Sequence, residues 1–300
     1  MITVFGSINM DLIATTERLP GPGETVVGST FATASGGKGA NQALAARRAG
    51  SGVRMVGAVG NDGFADPALA LLQASGTDLT AVTRTNISTG TALILVGDDS
   101  GENMIAVVPG ANGTIGEAQA QGAVEAMSPS DTLMLQLEIP PAAVEAALRA
   151  AKAKGIRTMI NTAPLTADAV RLSGLADIVV ANETEFELLA GCTIIDAQAR
   201  EEVLRRLHSE TGQTFVVTLG GEGVVAMLDG EILSAKGLKI EPVDTVGAGD
   251  TFCGYLAASL DQRIGFADAL RRAAVAGSLA CLERGAQPSI PEVSAVEARL

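Results

Sequence analysis

"DTLMLQLEIPPAAVEAALRAAKAKGIRTMIN" (131–161) sets the architecture. An apolar, β-rich run gives way to an alanine-rich stretch with Pro140 and Pro141 at its entry and Gly155 at its exit. A second β-rich run follows. Proline suits a first helical turn and glycine the position past the last, so the middle segment reads as a helix between two strands. Both flanking runs are nearly continuous in apolar residues, as strands covered on both faces are.

The same unit recurs along the chain. "ITVFG" (2–6), "VRMVGAVG" (53–60), "DIVVAN" (177–182) and "TFVVTLG" (214–220) read as strands. "GANQALAARRAG", "DPALALLQASG" and "EEVLRRLHSETG" read as helices closing at Gly50, Gly76 and Gly212. This alternation predicts a doubly wound, mostly parallel sheet in three αβα layers. Two segments break the rhythm. "ETVVGSTFATAS" (24–35) reads as strand with no crossover helix, and "TALILVGDDSGENMIAVV" (91–108) as a hairpin about "DDSGEN". Together they suggest a small antiparallel β lid, or an ordinary extension of the sheet edge.

Of the 300 residues, 47% are hydrophobic and 35 are glycine, with no Trp and one Tyr. That suits a large core of small aliphatic side chains and many tight turns. A net charge of −13 opposes binding to a nucleic-acid backbone, which needs clustered cations. Backbone N–H groups can still hold an anionic small molecule. Cys192, Cys253 and Cys281 are scattered and His208 is the single histidine, so neither disulfides nor a structural zinc site is expected. The lack of a leader-like N-terminus or a long apolar run points away from export and membranes, toward a reduced cytoplasm. His208, in "RRLHSE", reads as an exposed surface residue.

Standard nucleotide signatures fail. In "GGKGA" Gly39 stands where a P-loop needs Ser or Thr, and Ala32 where it needs its first Gly. No G-x-G-x-x-G follows the first strand. "DTVGAGDTF" (244–252) is more suggestive, because Gly247, Ala248 and Gly249 precede Asp250 at a helix entrance. A capped helix explains the acid alone. Backbone amides gathered at the positive end of a helix, with a carboxylate able to take a proton, explain the small residues too. Asn9 and Asp11, just after the first strand, and Gly37, Lys38 and Asn41, at the next helix entrance, offer paired donors and acceptors for a polyol. Glu138 is placed at the end of the strand "DTLMLQLE", on the same edge.

"SGGKGANQA" (35–43), "GAVGNDGFAD" (57–66), "NETEFE" (182–187) and "DTVGAGDTF" together resemble the PfkB family of carbohydrate kinases. Within them "LPGPGET", "GGKGANQA", "PGAN" and "RGAQPS" are most similar to the members that phosphorylate D-ribose. These strings run in the family's order from residue 5 to residue 289.

The resemblance implies ATP-dependent phosphorylation of the 5-hydroxyl of D-ribose. A fructose, deoxysugar or nucleoside kinase and a non-catalytic sugar-binding regulator remain as alternatives. It makes Asp250 the general base and Gly247, Ala248 and Gly249 the anion hole. Asn9, Asp11, Gly37, Lys38, Asn41 and Glu138 become sugar contacts. Asn182 and Glu185 would be associated with magnesium (Mg2+) held largely through water, and Thr218, Gly220, Gly223 and Gly249 with ATP. A monovalent cation, potassium (K+), would be held by Asp244, Val246, Ala280, Glu283, Gly285 and Ser289, mostly through backbone oxygens. Residues 1–11, 37–88 and 110–300 would form the core. Residues 12–36 and 89–109 would form the lid, which by resemblance pairs two subunits into a homodimer. Cys253, one helical turn after Asp250, reads as a small packing residue.

Overall fold

The computed structural model describes residues 1–98 and 102–300. In chain order, β1 (Ile2–Phe5), β2 (Asn9–Thr16) and β3 (Gly28–Gly36) precede α1 (Lys38–Arg48), β4 (Val53–Gly60), α2 (Ala65–Ala74), β5 (Asp78–Thr85), β6 (Gly90–Gly97) and β7 (Asn103–Val108). A 3-10 turn (Gly110–Thr114) leads to α3 (Glu117–Glu125), β8 (Thr132–Leu135), α4 (Pro141–Ala153), β9 (Arg157–Asn161), α5 (Ala169–Ser173), β10 (Ile178–Asn182), α6 (Glu183–Ala190), α7 (Ala197–Thr211) and β11 (Thr214–Thr218). Next come β12 (Val224–Leu228), β13 (Glu231–Ala235), α8 (Ala248–Asp261), α9 (Phe266–Ala280) and α10 (Val293–Glu297).

The unit at 131–161 folds as its composition dictates. Pro141 opens α4, and the helix buries Ala143, Val144, Ala147, Leu148 and Ala151, a single stripe at helical spacing. Burying each valine or leucine there contributes roughly 1.5–3 kcal/mol. The strand before it is shorter than its apolar run suggests. It ends at Leu135, so Glu138 lies three residues past the strand rather than at its tip. The backbone leaves the sheet at Gln136, and Leu137 N bonds to Ala163 O across the loop.

Nine strands form the main sheet in the order β13-β12-β11-β10-β9-β8-β1-β4-β5. Its pairings are parallel except β11 with β12 and β12 with β13. One apolar cluster, rich in Ala from α1, α8 and α9, covers one face; a second, from α3, α4 and α6, covers the other. From β1 the chain winds toward β5, then returns to β8 on the other side of β1 and winds toward β13. The reversal lies between β1 and β8, and the crevice beyond the carboxyl ends at such a point is where open α/β sheets bind ligands.

The lid is a separate four-stranded sheet, β3-β2-β6-β7. Its outer pairings are antiparallel, as expected. The central pair, β2 with β6, is parallel, because both strands run outward from the core. Residues 99–101, in the turn expected at "DDSGEN", lie outside the described residues. Asn9 and Asp11 do not sit in a turn after β1; they open strand β2 of the lid.

His208 is not simply exposed. Its Nδ1 donates to Gln213 O at 2.7 Å and its Nε2 accepts from Gly230 N at 3.1 Å, tying the end of α7 to the β12–β13 turn.

Candidate active site

Helix α1 and helix α8 meet at a glycine of α8 and the alanines of α1. A Cβ on Gly254 would lie 2.4 Å from Ala45 Cβ and 2.7 Å from Ala46 N. That close approach sits one turn beyond Asp250 on α8 and one turn beyond Asn41 and Gln42 on α1. It brings two amides onto one carboxylate. Asn41 Nδ2 donates to Asp250 Oδ2 at 2.9 Å, and Gln42 Nε2 donates to Asp250 Oδ1 at 2.9 Å.

Asp250 is therefore no cap. It is the third residue of α8, it is 7% exposed, and its side chain makes no capping bond; the N-cap is Gly247, at φ +78°. A Cβ on Gly247 would also strike Ala286 Cα at 2.8 Å. Among the described residues the amides of Gly247, Gly249 and Asp250 donate to no partner. Unpaired amides at the positive end of a helix are an anion site in waiting.

The residues expected to contact the sugar gather at the same edge. Glu138 Oε2 accepts from Ser7 Oγ at 2.5 Å and from Lys38 N at 3.0 Å, so it holds the entrance of α1 beside Gly37, the N-cap of that helix. Asn9 Oδ1 accepts from Asn112 Nδ2 at 2.7 Å. Asn112 also exchanges bonds with the Ile8 backbone, which fixes the step from β1 into the lid. The Asp11 carboxylate has no hydrogen-bond partner among the described residues. Burial, reinforced by the charges of Glu138 and Asp250, pushes its carboxyl up to about 6. The charge of Asp250, with those of Glu138 and Glu185, holds the Lys38 ammonium above its ordinary value despite burial. Asn41 Oδ1 is buried with no partner, an acceptor aimed at something the protein does not supply.

The residues expected to contact ATP and magnesium lie further along the same edge. Asn182 ends β10 opposite Thr218 at the end of β11. Gly220 opens and Gly223 closes the 3-10 turn that joins the antiparallel pair β11 and β12. Asn182 and Glu185 form a capping box: Asn182 Oδ1 accepts from Glu185 N at 2.8 Å, and Glu185 Oε2 accepts from Asn182 N at 3.0 Å. Glu185 also takes bonds from Thr162 Oγ1 and Asn182 Nδ2, both at 3.0 Å. With both oxygens engaged, Glu185 fits a magnesium ion held through water rather than directly.

Asp244 joins two loops. Its Oδ1 accepts from Val246 N at 3.0 Å and its Oδ2 from Gly285 N at 2.9 Å. Ala280 ends α9, Glu283 is exposed, and Ser289 is buried and donates to Ala286 O at 3.0 Å. Five of the six cation-site candidates thus lie on the loop that leads into Gly247 and the loop after α9, which meet at Asp244 and Gly285, and Ala280 lies at the end of α9. Among the described residues no cluster of three or more His, Cys, Asp or Glu side chains could hold a metal, so a cation here would rely on backbone oxygens. Cys253 is buried and packs as expected, and burial pushes its thiol well up.

Gln42, Gln136, Asn161, Asn112 and Ser7 escaped the sequence reading. Gln136 carried a usable signal, because it is the one amide inside the apolar run "LMLQL" and such a group needs a buried partner.

The chain matches the pfkB family carbohydrate kinase domain over residues 1–293. It is 35% identical to the ribokinase of Haemophilus influenzae, over 97% of this chain and 95% of that one. It is 37% identical to the ribokinase of Bacillus subtilis, over 99% and 98%. The structure of Arabidopsis thaliana ribokinase complexed with ribose and ATP superposes with a TM-score of 0.88 at 29% identity, covering 99% of this chain and 97% of that one. The chain belongs to the pfkB family of carbohydrate kinases, phosphotransferases with an alcohol group as acceptor.

Proposed function

We propose that the chain is an ATP-dependent kinase of D-ribose, transferring the γ-phosphoryl group to the 5-hydroxyl. The observation that carries this reading is the Asp250 carboxylate. It is bound by amides of the neighbouring helix, it is free of its own helix end, and it lies beside unpaired N–H donors. The hydroxyl proton passes to Asp250 as the sugar oxygen bonds to the γ-phosphorus, and the bond to the ADP oxygen breaks. The N–H groups of the Gly247–Asp250 turn face the charge on the transferring oxygens, where each donor is worth about 3–4 kcal/mol.

Asn9, Asp11, Lys38, Asn41 and Glu138, with the backbone of Gly37, hold the sugar hydroxyls. Thr218, Gly220 and Gly223 flank the adenine nucleotide, near Gly249. Magnesium would neutralise phosphate charge and be held through water near Asn182 and Glu185. Potassium would sit between the loops of Asp244, Val246, Ala280, Glu283, Gly285 and Ser289, steadying the turn that carries the donors. The core and lid divide near residues 12–36 and 89–109. The lid covers the sugar and pairs two copies of the chain. No helix among the described residues is long and apolar enough to cross a membrane, and a cytoplasmic, ATP-supplied setting suits the reaction.

The test is a coupled ADP-release assay over ribose, 2-deoxyribose, fructose, other hexoses and nucleosides, with and without potassium. Turnover highest on ribose and raised by potassium is expected. Turnover confined to nucleosides, or none on any acceptor, contradicts the reading.

A further inference from the structure

Asp250 does not hold itself in place. Each of its oxygens takes one amide hydrogen from α1, and the amide on Oδ1 belongs to Gln42, which is fully buried and so touches no sugar. Gln42 is in turn held at both ends. Its Oε1 accepts from Gln136 Nε2 at 2.7 Å, and its Nε2 donates a second hydrogen to Asn161 Oδ1 at 3.2 Å. Asn161 Nδ2 donates to Val180 O at 3.3 Å. Four elements (β10, β9, the end of β8 and α1) are thereby strung together by amides that lead to one carboxylate.

The direction of every amide in this chain is determined by the next. If Gln42 turned over, its oxygen would face both Asp250 Oδ1 and Asn161 Oδ1, and its nitrogen would face the nitrogen of Gln136. Two acceptors or two donors in contact in a buried site cost far more than a rotated amide gains. Gln136 Oε1 lies against Gly6, where a Cβ would come within van der Waals exclusion, so the Gln136 side chain is itself confined.

We propose that Gln42 is a positioning residue for the phosphoryl-transfer step, aimed by Gln136 and Asn161, and that it fixes the plane of the Asp250 carboxylate toward the attacking hydroxyl. This rests on the reading of Asp250 as the base. A base that can rotate must be found in the right orientation at each attempt, and a misplacement of about 1 Å costs roughly 100-fold in rate. Asn41, by contrast, has an oxygen left for the sugar, so its loss weakens binding as well.

The experiment compares Gln42→Met, Gln136→Met, Asp250→Asn and the Gln42→Met/Asp250→Asn double variant, reading kcat, ribose KM and ribose affinity by calorimetry. Gln42→Met is expected to lower kcat roughly 10- to 100-fold while ribose KM and Kd stay within about 3-fold. Gln136→Met lowers kcat in the same direction by a smaller factor. The double variant is expected to turn over no more slowly than Asp250→Asn alone, since there is no base left to aim. Wild-type kcat in Gln42→Met overturns the proposal, as does the same fold loss on both backgrounds, which marks a merely structural part. Should Gln42→Met not fold, unchanged kcat in Gln136→Met overturns it equally. Near-normal turnover in Asp250→Asn is a different failure, and removes the base assignment itself.

Discussion

Asp11 opens the lid strand with its carboxylate short of any partner, and Glu138 and Asp250 add their charges to the same cleft. Its carboxyl is pushed up to about 6 from 3.8, so between those values the folded chain keeps a proton that the unfolded chain has released. The stabilisation from that proton is complete below about pH 4 and is lost as pH rises through about 6. Asp11→Asn is therefore expected to match the wild-type melting temperature near pH 4 and to exceed it near pH 7. Thermal scans of both proteins across that range check the sign, and a wild type that gains on the variant as pH rises contradicts it. Ribose acts in the opposite sense. Its hydroxyls donate to the ionised form, so wild-type affinity should weaken by up to about tenfold for each unit below pH 6, and calorimetric titration measures it.

Two glycines in one motif answer to different demands at the scale of the helix. Gly247 is required by the fold, through its positive φ and the contact with Ala286. Gly249 is exposed, and a Cβ there would meet nothing within 4 Å. Gly249→Val is expected to leave the melting temperature near wild type but to lower kcat by about 10²-fold or more, since the side chain would crowd the amides offered to phosphate. A variant with both values unchanged contradicts the backbone-donor account. Gly254→Val behaves otherwise, because it forces α1 and α8 apart. A loss of about 1–3 kcal/mol is expected from denaturant unfolding, with kcat falling as the Asn41 and Gln42 amides leave Asp250. The strand–helix alternation and the turn at 244–252 were legible because apolar period, proline and glycine act locally. Strand β2 was not, since Asn-x-Asp favours a turn in isolation and only pairing with β3 and β6 extends it. Nor could Gln42 be read as a partner of Asp250, which lies 208 residues away in sequence; the helix contact at Gly254 creates that pair.

At the scale of the molecule, an apolar face of the lid sheet is exposed among the described residues. Phe31 is 69% exposed and Met104 52%, and Leu93 on the same face of the lid sheet is exposed too. An apolar sheet of this kind suits pairing with a second copy. Sedimentation is expected to show a dimer for the wild type and a monomer for a Phe31→Asp/Met104→Asp double variant; a monomeric wild type contradicts lid pairing. The molecule's central demand is that two distant helices place one carboxylate against a sugar hydroxyl, at the carboxyl edge where β1 and β8 diverge. The most direct measurement is ribose phosphorylation by the wild type and by Asp250→Asn, with ribose binding followed in parallel. The account predicts a fall in kcat of roughly 10²–10⁴-fold with ribose still bound at near-normal affinity. An Asp250→Asn protein that makes ribose 5-phosphate at close to the wild-type rate would contradict it.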